Sequence, residues 1–189
     1  CMDGGTPTQL DDRTCGPDPQ GGPHLLPGDC EETFGSVELA LQTIAANSDE
    51  FNTLCLLHSG VHVESFVADN STNALGVLNI HWMTHRVEGP ASWCPDPASP
   101  LEVGIDVIGN VGLDDLHMGA CSGDKAIVRY TSSDTVMVGA FLTVIGPGSE
   151  PVIELTEGST LTLLSSRVSG AGATAVGGAG NLLVRDRSL

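Results

Sequence analysis

The chain has 189 residues, enough for one domain around one core, with a tail to spare. Seven Lys and Arg face 24 Asp and Glu, a formal net charge of −17, so a phosphate backbone or an anionic membrane face would repel this surface and nucleic acid is not an expected partner. No apolar run reaches the roughly 18 residues of a membrane-spanning helix, and a composition with 24 Gly and only 4% aromatics suits short strands and tight turns better than long helices.

Residues 1–33 come first, a flexible acidic tail rich in Pro and Gly. It carries too few large apolar side chains to offset the entropy of ordering. No basic segment followed by an apolar one opens the chain, which therefore reads as already processed. Cys1 followed by the polar run Met2–Gln9 has the form of a mature bacterial lipoprotein, the terminal cysteine carrying a lipid anchor; the other reading is a fragment boundary with an idle or paired thiol. Cys1, Cys15, Cys30, Cys55, Cys94 and Cys121 lie far apart, without the close CxxC pairs of a structural zinc site. They read as disulfide partners in an oxidising compartment, either secreted or at a bacterial cell surface, with the pairing left open.

From Ser36 the pattern changes. Val37, Ala40, Leu41 and Ile44 recur at helical spacing, with Ser36 as N-cap and Glu38 in the first turn, which predicts one short amphipathic helix. Strands are then expected at 54–57, 61–67, 75–82, 101–108, 126–130, 136–138, 141–145, 152–155, 161–164 and 182–184, nearly every gap marked by Gly, Pro, Asn, Asp or Ser. The stretch Ala126–Val138 overlays Pro151–Leu163 at an ungapped offset of 25, strand, polar turn and strand in each. Leu161, Leu163 and Val168 lie 21 residues before Leu182, Val184 and Leu189 in the same phase. Repeats of this length made only of strand and turn predict a solenoid whose units stack and share one core. A Greek-key sandwich is the structural competitor, and it predicts no ungapped repeat.

Two stretches resemble the pectin-lyase-like superfamily of right-handed parallel β-helices. Phe34–Asn47 with Leu54–Glu64 is similar to the opening of that fold, a helix capping the end of the coil and then a first strand ending in a Gly-Val-x-x-Glu turn, with His62 where the family usually has Tyr. Asp124–Gly146 is similar in rhythm to the units that follow in pectin methylesterases. The resemblance implies an all-β right-handed parallel β-helix over residues 34–189 with one short N-terminal capping helix, truncated at its C-terminal end, so that either the chain continues or another copy covers the last unit. It does not carry the catalytic motifs across. The glutamines are Gln9, Gln20 and Gln42, none in a β-helix unit, and no Arg or Lys after residue 100 sits in a lyase-like carboxylate cluster.

Among chemistry-bearing residues, Asp114, Asp115 and His117, joined by Asp106 on the preceding strand, form the best local set for a Ca²⁺ ion or a general acid/base, against the simpler reading of an acidic surface turn. Calcium is the one cofactor entertained. His58 and His62, and His81 and His85, have the i, i+4 spacing of zinc ligands but lack the Glu that zinc proteases place after the first His. No serine has a nucleophile-elbow context. Trp82, Trp93 and Tyr130 could stack on sugars, though three scattered rings read better as core or loop anchors, with Trp93-Cys94-Pro95 tying down the Glu88–Pro100 loop through a bond to Cys121. Asn70-Ser71-Thr72 matches a glycosylation sequon of little weight.

The expected function is a secreted or cell-surface module, non-catalytic, with a structural, adhesion or carbohydrate-binding role and a polysaccharide or surface ligand as partner. The alternative is a fragment of a carbohydrate-active enzyme, lyase or pectinesterase-like, acting on acidic polysaccharide. Clustering of Asp106, Asp114, Asp115 and Arg129 on one sheet face would favour the enzyme.

Overall fold

The structure is a computed structural model and describes residues 2–3, 36–47, 51–57, 61–72, 77–82, 92–114, 117–118, 126–131, 136–140, 143–146, 150–170 and 174–185. Among these the chain is all-β apart from one helix, α1 (Val37–Asn47). Its strands assemble into three sheets in which every pairing is parallel.

The first sheet runs β1 (Met2–Asp3), β2 (Phe51–Leu57), β5 (Val77–Trp82), β8 (Val111–Asp114), β11 (Val136–Ala140), β14 (Thr160–Leu164) and β17 (Asn181–Arg185). The second runs β3 (Val61–Val63), β6 (Ser92–Cys94), β9 (His117–Met118), β12 (Thr143–Gly146) and β15 (Arg167–Gly170). The third runs β4 (Phe66–Asn70), β7 (Val103–Gly109), β10 (Ala126–Thr131), β13 (Ile153–Leu155) and β16 (Val176–Gly178). From β2 onward the chain visits the first, second and third sheets in strict rotation, so each strand pairs with the one three places later.

Alternation of apolar and polar residues decides which side of each strand is buried. In the third sheet Phe66, Ile105, Val128 and Ile153 stand in one row and Ala68, Val107, Tyr130 and Leu155 in the next, all buried. In the first sheet Leu54, Ile80, Leu113 and Leu163 share a row, with Gly139 between the last two. Trp93, Met118 and Val168 line the second, through Val144. One buried cluster draws on all three sheets together with Val37 and Ala40 of α1.

The tight corner after β7 depends on Gly109. It holds φ +80° in register with Asn70, and a Cβ there would sit 2.7 Å from the Ser71 backbone nitrogen. Asn70 is itself buried, and its Nδ2 donates to the Asn110 carbonyl at 2.9 Å, which carries the chain round the corner.

Tyr130 is fully buried, and its hydroxyl has no hydrogen-bond partner among the described residues. Burial alone pushes its ionisation far above the ordinary tyrosine range. An unsatisfied buried hydroxyl costs stability that a phenyl ring does not. Tyr130→Phe is therefore expected to stabilise the fold by about 1 kcal/mol, read as a higher urea midpoint with an unchanged slope.

The repeat at offset 25 holds in the first of its two strands, where Val128, Arg129 and Tyr130 pair with Ile153, Glu154 and Leu155. In the second strand the register differs by one residue, Val136 pairing with Thr160 rather than with Leu161. The connection after Tyr130 is one residue longer than the one after Leu155. The offset of 21 is exact for Leu161 with Leu182 and Leu163 with Val184, while Leu189 lies outside the described residues. Within the presumed tail, Met2–Asp3 pairs with Leu56–Leu57, and the expected loop 88–100 contains β6.

Candidate functional site

The N-terminal end of the fold is organised by Glu64. The Ser36 hydroxyl accepts the Leu39 N–H at 3.2 Å, the expected N-cap. The Glu64 carboxylate, which sequence reasoning noted only as part of a family-like turn, accepts the first two helical N–H groups, Val37 at 3.1 Å and Glu38 at 3.0 Å. A carboxylate at a helix N-terminus satisfies orphan donors and complements the helix dipole. His62 Nε2 donates to the same carboxylate at 2.8 Å. Burial works against the ionised form of Glu64, but the His62 hydrogen bond and the two helix N–H groups outweigh it and hold the carboxyl below its ordinary value.

His62 thus belongs to an end cap, and it stands on a strand rather than a helix. His81 also lies on a strand; His58 and His85 fall outside the described residues. No group of three metal-ligating side chains occurs among the described residues.

The outer face of the third sheet carries a charged row. Val67, Asp106, Arg129, Glu154 and Gly177 stand in register. Arg129 reaches Asp106 at 3.2 Å, Glu102 at 3.4 Å and Glu154 at 3.9 Å. The other oxygen of Asp106 accepts the Thr131 hydroxyl at 3.0 Å. Burial works against the Arg129 charge, but the Asp106 hydrogen bond and the surrounding carboxylates more than offset it, and its ionisation lies above the ordinary arginine value.

This arrangement divides the candidate calcium set. Asp106 lies on the third sheet with both oxygens engaged, Asp114 ends a strand of the first sheet, and Asp115 lies outside the described residues. The competing reading of Asp114 as part of an acidic surface turn does not describe its backbone, which pairs with His81 and Ala140. Of the four residues whose clustering would mark an enzyme, the structure brings together Asp106 and Arg129.

A groove of about 420 Å³ runs between α1, β4 and the 99–101 segment, beside the start of the charged row. Leu41, Phe66, Val67 and Leu101 give it an apolar lining, while Glu38, Gln42 and Asp69 supply polar groups. Two of the aromatic rings considered for sugar stacking lie elsewhere. Trp93 is 1% exposed and packs edge-on against Phe66 at 5.9 Å, and Tyr130 is in the core; the Trp82 side chain lies outside the description.

Cys94 is disulfide-bonded, in line with the expected use of cysteine, and the proposed partner Cys121 lies outside the described residues. The sequon is closed by the fold, since Asn70 is 5% exposed and its amide nitrogen is engaged with Asn110. No described helix is long and apolar enough to cross a membrane. No protein-family model, curated protein or solved structure matches the chain.

Proposed function

We propose that the chain is a right-handed parallel β-helix of the pectin-lyase-like kind, working as a non-catalytic secreted or cell-surface module that binds a neutral glycan in the groove between α1, β4 and the 99–101 segment. The observation that carries this reading is the in-register row Asp106, Arg129 and Glu154. Residues 23 and 25 apart in sequence stand side by side, as successive turns of a coil require. Parallel crossovers within a sheet are overwhelmingly right-handed, which supports the assigned hand.

The charged row supports binding or structure over chemistry. Arg129 is held by three carboxylates and Asp106 by two donors, so neither offers the open, tunable group that acid/base catalysis needs. The groove beside α1 joins polar groups to an apolar lining, the usual make-up of a small-ligand site. Glu38 and Asp69 at that groove, in a chain of net charge −17, disfavour uronate-rich polymers and leave neutral sugars.

The test is a glycan array run with and without Ca²⁺, coupled to detection of cleavage or de-esterification products. Binding to neutral glycans, unchanged by chelation, lost in Leu41→Asp and without turnover, is the expected result. Turnover of an acidic polysaccharide would overturn the reading in favour of an enzyme fragment and direct substitution to Asp106, Asp114 and Asp115.

A further inference from the structure

The groove has three walls, and they are joined at the two residues between β3 and β4. Glu64 accepts the Val37 and Glu38 N–H groups at 3.1 and 3.0 Å and so holds the start of α1. Its own N–H donates to the Cys94 carbonyl at 3.1 Å, at the end of β6. Ser65, which lines the groove, accepts the Asp96 N–H on its hydroxyl at 2.9 Å and so holds the segment that leads to 99–101. Phe66 then opens β4.

These attachments differ in kind. The Cys94 carbonyl and the Ser65 hydroxyl neither gain nor lose a proton between neutral pH and acid, whereas α1 hangs on a carboxylate. From β3, His62 faces Glu64 with its Nε2 at 2.8 Å. From α1, Glu38 turns its carboxylate to the groove. From the segment after β6, Asp96 turns its carboxylate to the Ala98 N–H at 2.9 Å, and Cys94, being disulfide-bonded, does not titrate. Both oxygens of Glu64 are in use, Oε2 by Val37 and His62 and Oε1 by Glu38, so a proton on either takes away an acceptor that a helix N–H needs. Little else holds the helix: its buried side chains among those described are Val37 and Ala40, both small, with Leu41 packed partly against the core.

We propose that Glu64 is an acid-sensitive latch on the groove. Ionised, it keeps α1 in place as the third wall; protonated, it lets the start of α1 swing off β4, which takes Glu38, Leu41 and Gln42 out of the groove together and releases a bound glycan. The latch rests on the glycan reading of this groove and adds its control. Because one helix serves both equilibria, a sugar that touches α1 resists the protonation to the same extent that protonation weakens its binding.

The test has two arms, both on the intact chain. In the first, without sugar, amide shifts and hydrogen-exchange protection are followed by NMR from neutral pH to well below 4.5, the unfolded value of the carboxyl. The Val37 and Glu38 amides are expected to shift in one common step, and the α1 amides to lose about tenfold in protection across it, the equivalent of one hydrogen bond, while Val128 and Ile153 of the third sheet keep theirs. Glu64→Gln is expected to show weak α1 protection at every pH and no step, and Glu38→Gln, which retains its N–H, to keep the Val37 step. In the second arm, calorimetry with maltohexaose and cellohexaose is expected to show affinity falling about tenfold across the same step in wild type, and low and flat in Glu64→Gln. An α1 whose protection is unchanged through the step, or is lost together with that of Val128 and Ile153, overturns the latch, as does a Val37 step that persists in Glu64→Gln or sugar binding that ignores the step. An α1 that loosens on the step in a chain that binds neither sugar at any pH leaves the latch standing and removes the glycan reading.

Discussion

Trp93→Ala is expected to lower the unfolding free energy by about 3–5 kcal/mol, the range for removing a buried indole from a packed core, and to lower the melting temperature by roughly 6–20 °C. Trp93 is 1% exposed and packs edge-on against Phe66. It also fits over Gly104, where a Cβ would lie 2.7 Å from the indole, 2.8 Å from Pro95 and 2.7 Å from the Ile127 carbonyl. The ring takes the volume that the glycine leaves. Gly104→Ala alone is expected to cost about 1–3 kcal/mol by overpacking, and less in the Trp93→Ala background, where one of its clashes is gone. Urea unfolding of both single variants and the double variant gives the coupling. Additive losses would show that ring and glycine are not matched in this way.

Glu64→Ala is expected to cost about 2–3 kcal/mol, because it strips two helix N–H groups and His62 of their shared acceptor inside a part-buried corner. The effect has a definite pH dependence. The folded protein holds the Glu64 carboxyl below its unfolded value of 4.5, so the stabilisation is fully present above that pH and is lost as pH falls through the lower folded value. The gap between wild type and Glu64→Gln in urea melts is therefore expected to be wide at neutral pH and to close in acid. A gap that widens below the unfolded value would contradict the assignment of Glu64 as an ionised cap.

Much of the fold was legible where residues repeat along the chain. The helix at 37–47 followed from Val37, Ala40 and Leu41 and its Ser36 cap, and Val128 over Ile153 followed from matched apolar phase. The one-residue difference at Val136 was not legible, because a turn of polar residues carries no apolar phase to betray its length. Strands β6, β9, β15 and β16 escaped notice for a related reason. They are two to four residues long, too short to show alternation, and β16 is Val-Gly-Gly, with little side chain to alternate.

The candidate site divides in the same manner. Asp106 and Arg129 were singled out, and the offset of 25 already set Arg129 beside Glu154, but the pairing of Arg129 with Asp106 and its reach to Glu102 depend on a register with β7 that no repeat in the sequence displays. The Glu64 cap could have been found. A Glu shortly after a His-containing strand, 27 residues from the helix start it serves, was already quoted as part of the family-like opening, and a helix that begins at Val37 needs acceptors for its first N–H groups.

The rotation of strands among three parallel sheets is the centre of this account, and backbone nuclear Overhauser effects across the row Val67, Asp106, Arg129 and Glu154 test it most directly. Parallel pairing gives amide to α-proton contacts between Asp106 and Arg129 and again between Arg129 and Glu154, on a chain labelled uniformly and assigned through the core. Short α-proton to α-proton contacts of antiparallel pairing at these positions, or strong contacts joining strands consecutive in sequence, would contradict the parallel sheets and favour a sandwich.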